Sequence, residues 1–259
     1  MKLRELITSV RWFMLNHRRL AATIGAGSAI LVGGAAAMLT HQRTSPPPAS
    51  KAEMEQVVRD YILAHPEIIP QAMDKLRDKQ SQSAYAMYKP ALETPYASAW
   101  AGAEKGDVTL VMFTDYACGY CRTMLPDIDR LLAGDPKLKI VWREIPILGP
   151  GSEIAAKASL AAAEQGAYRE FHERMFASGQ PDGNKVSAVL KGMNLDLRQA
   201  QRDIYGTTVM AELKKNLDLV GRLDDAPATP TFVVNGQMLK GAVGYDALKQ
   251  AIGEARKRT

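Results

Sequence analysis

Cys118 and Cys121 are the only cysteines among 259 residues, and they frame Gly119 and Tyr120. Two intervening residues on a first helical turn bring two sulfurs close enough to bond. Thiolates are the nucleophiles of thiol–disulfide exchange, so this spacing points to a redox pair. A structural disulfide framework would need more cysteines, more widely spaced. A zinc site would need two further ligands, and His17, His41, His65 and His172 show no paired ligand spacing. No metal ligand set is assigned. Half a metal site and an inert structural disulfide remain the alternative readings of the pair taken by itself.

The elements around the pair are legible. Val108 to Phe113 is a short apolar, β-prone run, as in a buried central strand. Asp115 to Cys118 form a turn, and a helix is predicted from Cys118 to about Leu132, kinked at Pro126. At a helix start Cys118 faces unpaired N–H groups and the positive end of the dipole. Such cysteines have pKa values of about 3.5–7.5. Cys118 is therefore the expected nucleophile and Cys121 the buried resolving thiol, with Gly119 and Tyr120 tuning the pair. Lys139 to Arg143 reads as a second strand, completing a β-α-β unit. Residues 152–223 read as helical throughout, with breaks at Gly166, Gly179, Gly192 and Gly206. Thr231 to Val234, Asn235-Gly236 and Met238-Leu239 predict a hairpin, and Tyr245 to Arg256 a closing helix. Thr229-Pro230 leads straight into that hairpin, where proline is sterically permitted. It reads as a turn proline or, more informatively, as a cis bond.

The formal net charge is +5, but residues 1–19 carry Lys2, Arg4, Arg11, Arg18 and Arg19 against Glu5 alone. The remainder is near neutral, which argues against nucleic acid and for membrane orientation. Residues 20–39 are uncharged and long enough to span a bilayer. The expectation is a retained anchor, with the N-terminus in the cytoplasm and everything after Thr40 exported. The alternative is a cleaved signal ending near Ala35-Ala36-Ala37. Residues 40–52, with Pro46-Pro47-Pro48, form a stiff linker. Residues 53–90 predict two helices divided at His65-Pro66, with Val57, Tyr61, Ile62, Met73 and Leu76 apolar. They either pack on their own domain or form an oligomerisation stalk.

Three stretches carry a resemblance. They are Phe113-Thr114-Asp115-Tyr116-Ala117-Cys118-Gly119-Tyr120-Cys121, Arg143-Glu144-Ile145-Pro146-Ile147-Leu148-Gly149 and Thr229-Pro230-Thr231-Phe232-Val233-Val234-Asn235-Gly236. In order and spacing they resemble the bacterial periplasmic DsbA-like family of the thioredoxin superfamily. The resemblance implies an α/β thioredoxin fold over 95–151 and 224–259, with a helical domain inserted at 152–223. The N-terminal helical segment and the membrane-spanning or signal segment would precede it. It implies a thiol:disulfide oxidoreductase, oxidase or isomerase, acting in the periplasm on cysteines of exported proteins. A membrane redox partner is implied, and no cofactor. Thr229-Pro230 would be the cis-proline loop beside the disulfide. One departure stands out: a buried acid six residues before the first cysteine is usual, and Met112 occupies that place. Asp115 and Glu144 are the nearest candidates for proton transfer from Cys121, although Asp115 also reads as a helix-leading cap. His65-Pro66-Glu67-Ile68-Ile69-Pro70 looks like the N-terminal region of the ScsC-like subgroup, which implies a homo-oligomer through residues 53–88. Outside the resemblance stand a Cu(I)-binding thiol protein and a non-catalytic tethered binding module.

Overall fold

The computed structural model describes residues 50–224 and 226–258. The basic N-terminus, the anchor or signal at 20–39 and the linker up to residue 49 lie outside the described residues. No described helix is long and apolar enough to cross a membrane.

Two helices lead, α1 (Lys51–Ala64) and α2 (Ile68–Glu93). A capping box starts α1: the Glu53 N–H donates to Ser50 Oγ, and the Ser50 N–H donates to the Glu53 carboxylate. Pro66 bars continuation, and Pro70 falls in the first turn of α2, where a missing N–H is tolerated. The chain then runs β1 (Trp100–Gly102), β2 (Val108–Thr114), α3 (Gly119–Thr123), α4 (Leu125–Gly134) and β3 (Leu138–Glu144). Helices α5 (Pro150–Glu164), α6 (Tyr168–Ala177), α7 (Gly183–Lys191), α8 (Leu197–Ile204) and α9 (Thr207–Leu223) fill the predicted helical insertion. Strands β4 (Thr231–Val234) and β5 (Gln237–Lys240) and helix α10 (Gly244–Lys257) close the chain.

Among the described residues the strands form one mixed, thioredoxin-like sheet in the order β1-β3-β2-β4-β5. β2 and β3 are parallel, and β1, β4 and β5 join antiparallel. The sequence reading contains no strand at β1, because three edge residues are too few to show a period. Asn235 and Gly236 both take positive φ (45° and 79°), as a two-residue hairpin turn of this twist requires.

Period-two alternation sorts the sheet's faces. Leu110, Met112, Ile140, Trp142 and Phe232 face one cluster, which includes both cysteines. Val111, Phe113, Val141 and Val233 face the other, where Tyr85 and Leu92 of α2 meet Leu219, Val220 and Leu223 of α9. Both faces being covered explains why β2 reads as an unbroken apolar run. Helix α2 thus has two halves. From Ser81 onward it packs on the sheet, and Ser81 Oγ donates to the Gly236 carbonyl in the hairpin. Before Ser81 no residue of α1 or α2 is buried, and Val57, Tyr61, Ile69, Met73 and Leu76 are 46–68% exposed.

Arg143 fixes the end of α2. Its guanidinium is fully buried and forms an ion pair with Glu212 of α9. It also donates to the carbonyls of Ala91, Leu92 and Thr94. A helix's last carbonyls have no intrahelical partner, so one side chain satisfies α2's C-terminus and bolts it to the sheet.

Candidate active site

The site arises where β2 ends. Cys118 is the N-cap of α3, in extended geometry, and Cys121 lies inside that helix. The expected kink is present: α3 and α4 are separate, joined at Met124, with Pro126 in the first turn of α4. Cys118 is 6% exposed and Cys121 fully buried. Both are thiols. Beside them stands exposed Tyr120, and Gly119 has open space where a Cβ would project.

The antiparallel register of β4 on β2 sets Thr231 opposite Phe113. That register carries the residues just before β4 to the redox turn. The Thr229–Pro230 bond is cis, and Cys118 Sγ donates to the Thr229 carbonyl at 3.2 Å. Proline contributes no N–H next to the sulfurs.

The two thiols are held at opposite ends of the titration scale. Hydrogen bonding from Cys121 lowers Cys118, against the opposing effect of desolvation, and the Tyr120 and Cys121 N–H groups lower it further, to about 5. Burial raises Cys121 far above the ordinary range, and the neighbouring Cys118 adds to this.

The two candidate acids have separate settings. Asp115 accepts from the N–H groups of Ala117, Ile147 and Leu148 and from Ser152 Oγ, at 2.6–3.0 Å. It ties the redox turn to the loop between β3 and α5. Glu144 ends β3 in register with Thr114 and is fully buried. Tyr168 donates to Glu144 Oε1 at 2.6 Å, and His172 Nδ1 lies 3.9 Å away. Burial pushes the Glu144 carboxyl up to about 8 and His172 down to about 3. The Tyr116 hydroxyl is 3.0 Å from His172 Nδ1. Thr114 Oγ1 and Glu144 Oε2 form no hydrogen bond among the described residues.

Sequence reasoning did not single out Thr114, Tyr116, Ser152, Tyr168 or His172 as members of the site. A usable signal was present, since an acid continuing a buried strand must be neutral or partnered. Among the described residues no cluster of three His, Cys, Asp or Glu side chains could hold a metal ion.

The profile of the DSBA-like thioredoxin domain matches residues 109–253. The chain belongs to that family. The profile of the copper resistance protein ScsC N-terminal domain matches residues 51–82, the stretch of α1 and α2 that leads up to the docked half of α2. A Proteus mirabilis ScsC variant is similar in structure, with a TM-score of 0.66 and 25% identity, covering 83% of this chain and all of that one. Disulfide bond formation protein D of Bacillus subtilis is 30% identical over 60% of this chain and 76% of its own length. A Na+/H+ antiporter NhaA of Salinispora arenicola is 31% identical over 60% of this chain. This chain spans only 24% of that relative's length.

Proposed function

We propose that the protein is a thiol:disulfide oxidoreductase acting through Cys118 on cysteines of exported polypeptides. The observation that carries this reading is two free thiols one helical turn apart, the first at the helix start and within hydrogen-bond distance of the carbonyl before cis Pro230. In the oxidising direction a substrate thiolate attacks Cys118 Sγ of the Cys118–Cys121 disulfide. The S–S bond breaks and Cys121 leaves as thiolate. A second substrate thiolate then attacks the substrate sulfur of the mixed disulfide and releases Cys118 as thiolate. The substrate loses two electrons and the pair gains them; the reverse sequence reduces.

Cys121 is too buried to remain charged, so it takes a proton as it leaves. Glu144 is the acid assigned to that transfer, because it is protonated near neutral pH and is paired in register with Thr114, the last residue of the strand that leads into the redox turn. Asp115, with four donors on its carboxylate, is assigned to holding the turn. Thr229 and Pro230 orient an extended substrate beside Cys118, while Gly119 and Tyr120 shape the approach. In this reading the protein is periplasmic, with residues 20–39 as anchor and a membrane partner resetting the pair; family membership supports the location and the uncharged run at 20–39 supports the anchor.

Copies of the chain assemble in this reading through residues 51–80. The exposed apolar side chains there and the match to the ScsC N-terminal domain support it. Assembly sets several redox sites around one misfolded substrate and favours isomerase over oxidase.

Cys121→Ala tests the core of the reading. Without the resolving thiol, cells should accumulate substrates disulfide-bonded to Cys118, seen on non-reducing gels and removed by reductant. A folded, exported variant with no adducts would overturn it.

A further inference from the structure

One cavity plays no part in this mechanism. It lies between α5, α7 and α8 and has a volume of about 440 Å3, within the roughly 300–1,000 Å3 typical of ligand sites. Ile154, Val186, Leu190, Leu197 and Ile204 make it apolar, and Lys157 and Lys191 line it as well. Ile154 and Leu197 are 41% and 42% exposed, a costly placement for such side chains when uncovered. Lys157 is engaged by Glu153. Lys191 is exposed at the last residue of α7.

The walls of the cavity start at the redox turn. Ser152, two residues before Ile154, donates to Asp115. Gln180, three residues before Gly183, donates to the carbonyl of Ala117, the residue before Cys118. The Pro181 carbonyl lies 2.2 Å from where a Cβ on Gly151 would stand. The starts of the two walls are therefore pressed together with no side chain between them. An extended chain advances about 3.3 Å per residue, so a few residues of a polypeptide carry it well away from its cysteine.

We propose that this cavity receives an apolar side chain, with a carboxylate next to it, from the polypeptide disulfide-bonded to Cys118. A polypeptide is the occupant because the residues that hold the redox turn also begin the cavity's walls. The carboxylate is set by Lys191, since Lys157 already faces Glu153. The proposal rests on the redox reading above and adds a preference to it.

The test uses the full chain, reduced, and peptides whose single cysteine is capped by thionitrobenzoate. The Cys118 thiolate attacks the peptide sulfur, the bond to the cap breaks, and the coloured thiolate leaves as the mixed disulfide forms. A peptide with Leu-Glu a few residues from the cysteine should react about tenfold faster than one with Ser-Gln, the expected return for burying one leucine. Leu197→Asp places a carboxylate at the cavity and at the first residue of α8, where an anion suits the helix. This variant should lose the preference while reacting unchanged with capped free cysteine. Equal rates for the two peptides, or a preference that survives Leu197→Asp, would overturn the proposal. So would laurate binding that Leu197→Asp abolishes, without any peptide preference, since the occupant would then be a lipid. Failure to react even with capped free cysteine would instead bring down the redox reading, and this subsite with it.

Discussion

Cys118 and Cys121 share a helix turn but not an environment. Cys118 sits at the unpaired N–H groups, while Cys121 points into the apolar cluster under the sheet. Because the Cys118 pKa is lowered from 9.0 to about 5, iodoacetamide should label Cys118 rapidly at pH 7. Labelling should fall away only below about pH 5, with Cys121 silent throughout; mass spectrometry of the peptide reads both. The same shift sets a stability window. A depressed acid stabilises the folded reduced protein fully above pH 9, and that contribution is lost as pH falls towards 5. Glu144 works with the opposite sign, its pKa being raised from 4.5 to about 8. Its neutral form is the one the fold accepts, so stability is lost as pH rises from 4.5 towards 8. In the oxidised protein Glu144→Gln should remove that slope, worth about 3–5 kcal/mol across the window. It should also slow the exchange step in which Cys121 leaves and takes its proton. Parallel denaturation curves for variant and wild type at pH 5 and pH 8 would refute the assignment. The cysteines were legible because their chemistry depends on spacing along the chain. Thr114, Tyr168 and His172 were not, because only strand register and the packing of α6 bring them together with Glu144.

Element by element, periodicity did most of the work. β2 and β3 were legible as apolar runs, the hairpin as Asn-Gly, and the kink at α3 and α4 as Pro126. β1 was too short to show. The double nature of α2 was hidden because its sequence is amphipathic throughout, and burial is decided by what docks at Ser81, Tyr85 and Leu92. Arg143 reads in sequence as an ordinary strand residue; its role appears only with the carbonyls of α2 and with Glu212 in place. Removing one partner of a buried ion pair costs about 3–5 kcal/mol. Arg143→Met should therefore lower the unfolding free energy by about that much, measured in urea. Loss of under 1 kcal/mol would mean that α2 is held by Tyr85 and Leu92 alone.

At the scale of the whole molecule the apolar side chains of α1 and early α2 dominate. A single copy leaves them in water, where burying each is worth about 1.5–3 kcal/mol. Assembly through this face predicts that Tyr61→Lys with Ile69→Lys lowers the mass of the full chain by light scattering. The double variant should fold as before, because neither position is buried, and its ability to reshuffle a scrambled disulfide substrate should fall with the mass. An unchanged mass would end the assembly reading. A lower mass with reshuffling intact would separate assembly from isomerase chemistry. The sequence left stalk and core open as alternatives for this region; the fold packs it on the sheet from Ser81 onward and leaves the part before Ser81 unburied.

The alternation of β3 has a consequence for insertions and deletions. Trp142 and Glu144 serve the thiol side, while Val141 and Arg143 serve the α2 side. Deleting one residue within the strand exchanges these sides for every residue beyond the cut. The arginine is then delivered to the cysteines and the acid to the helix end, so one lost codon breaks both assignments together. A codon lost from the turn between α4 and β3, at residues 135–137, leaves the alternation intact. Length variation in this region should therefore be tolerated in that turn and rejected within the strand.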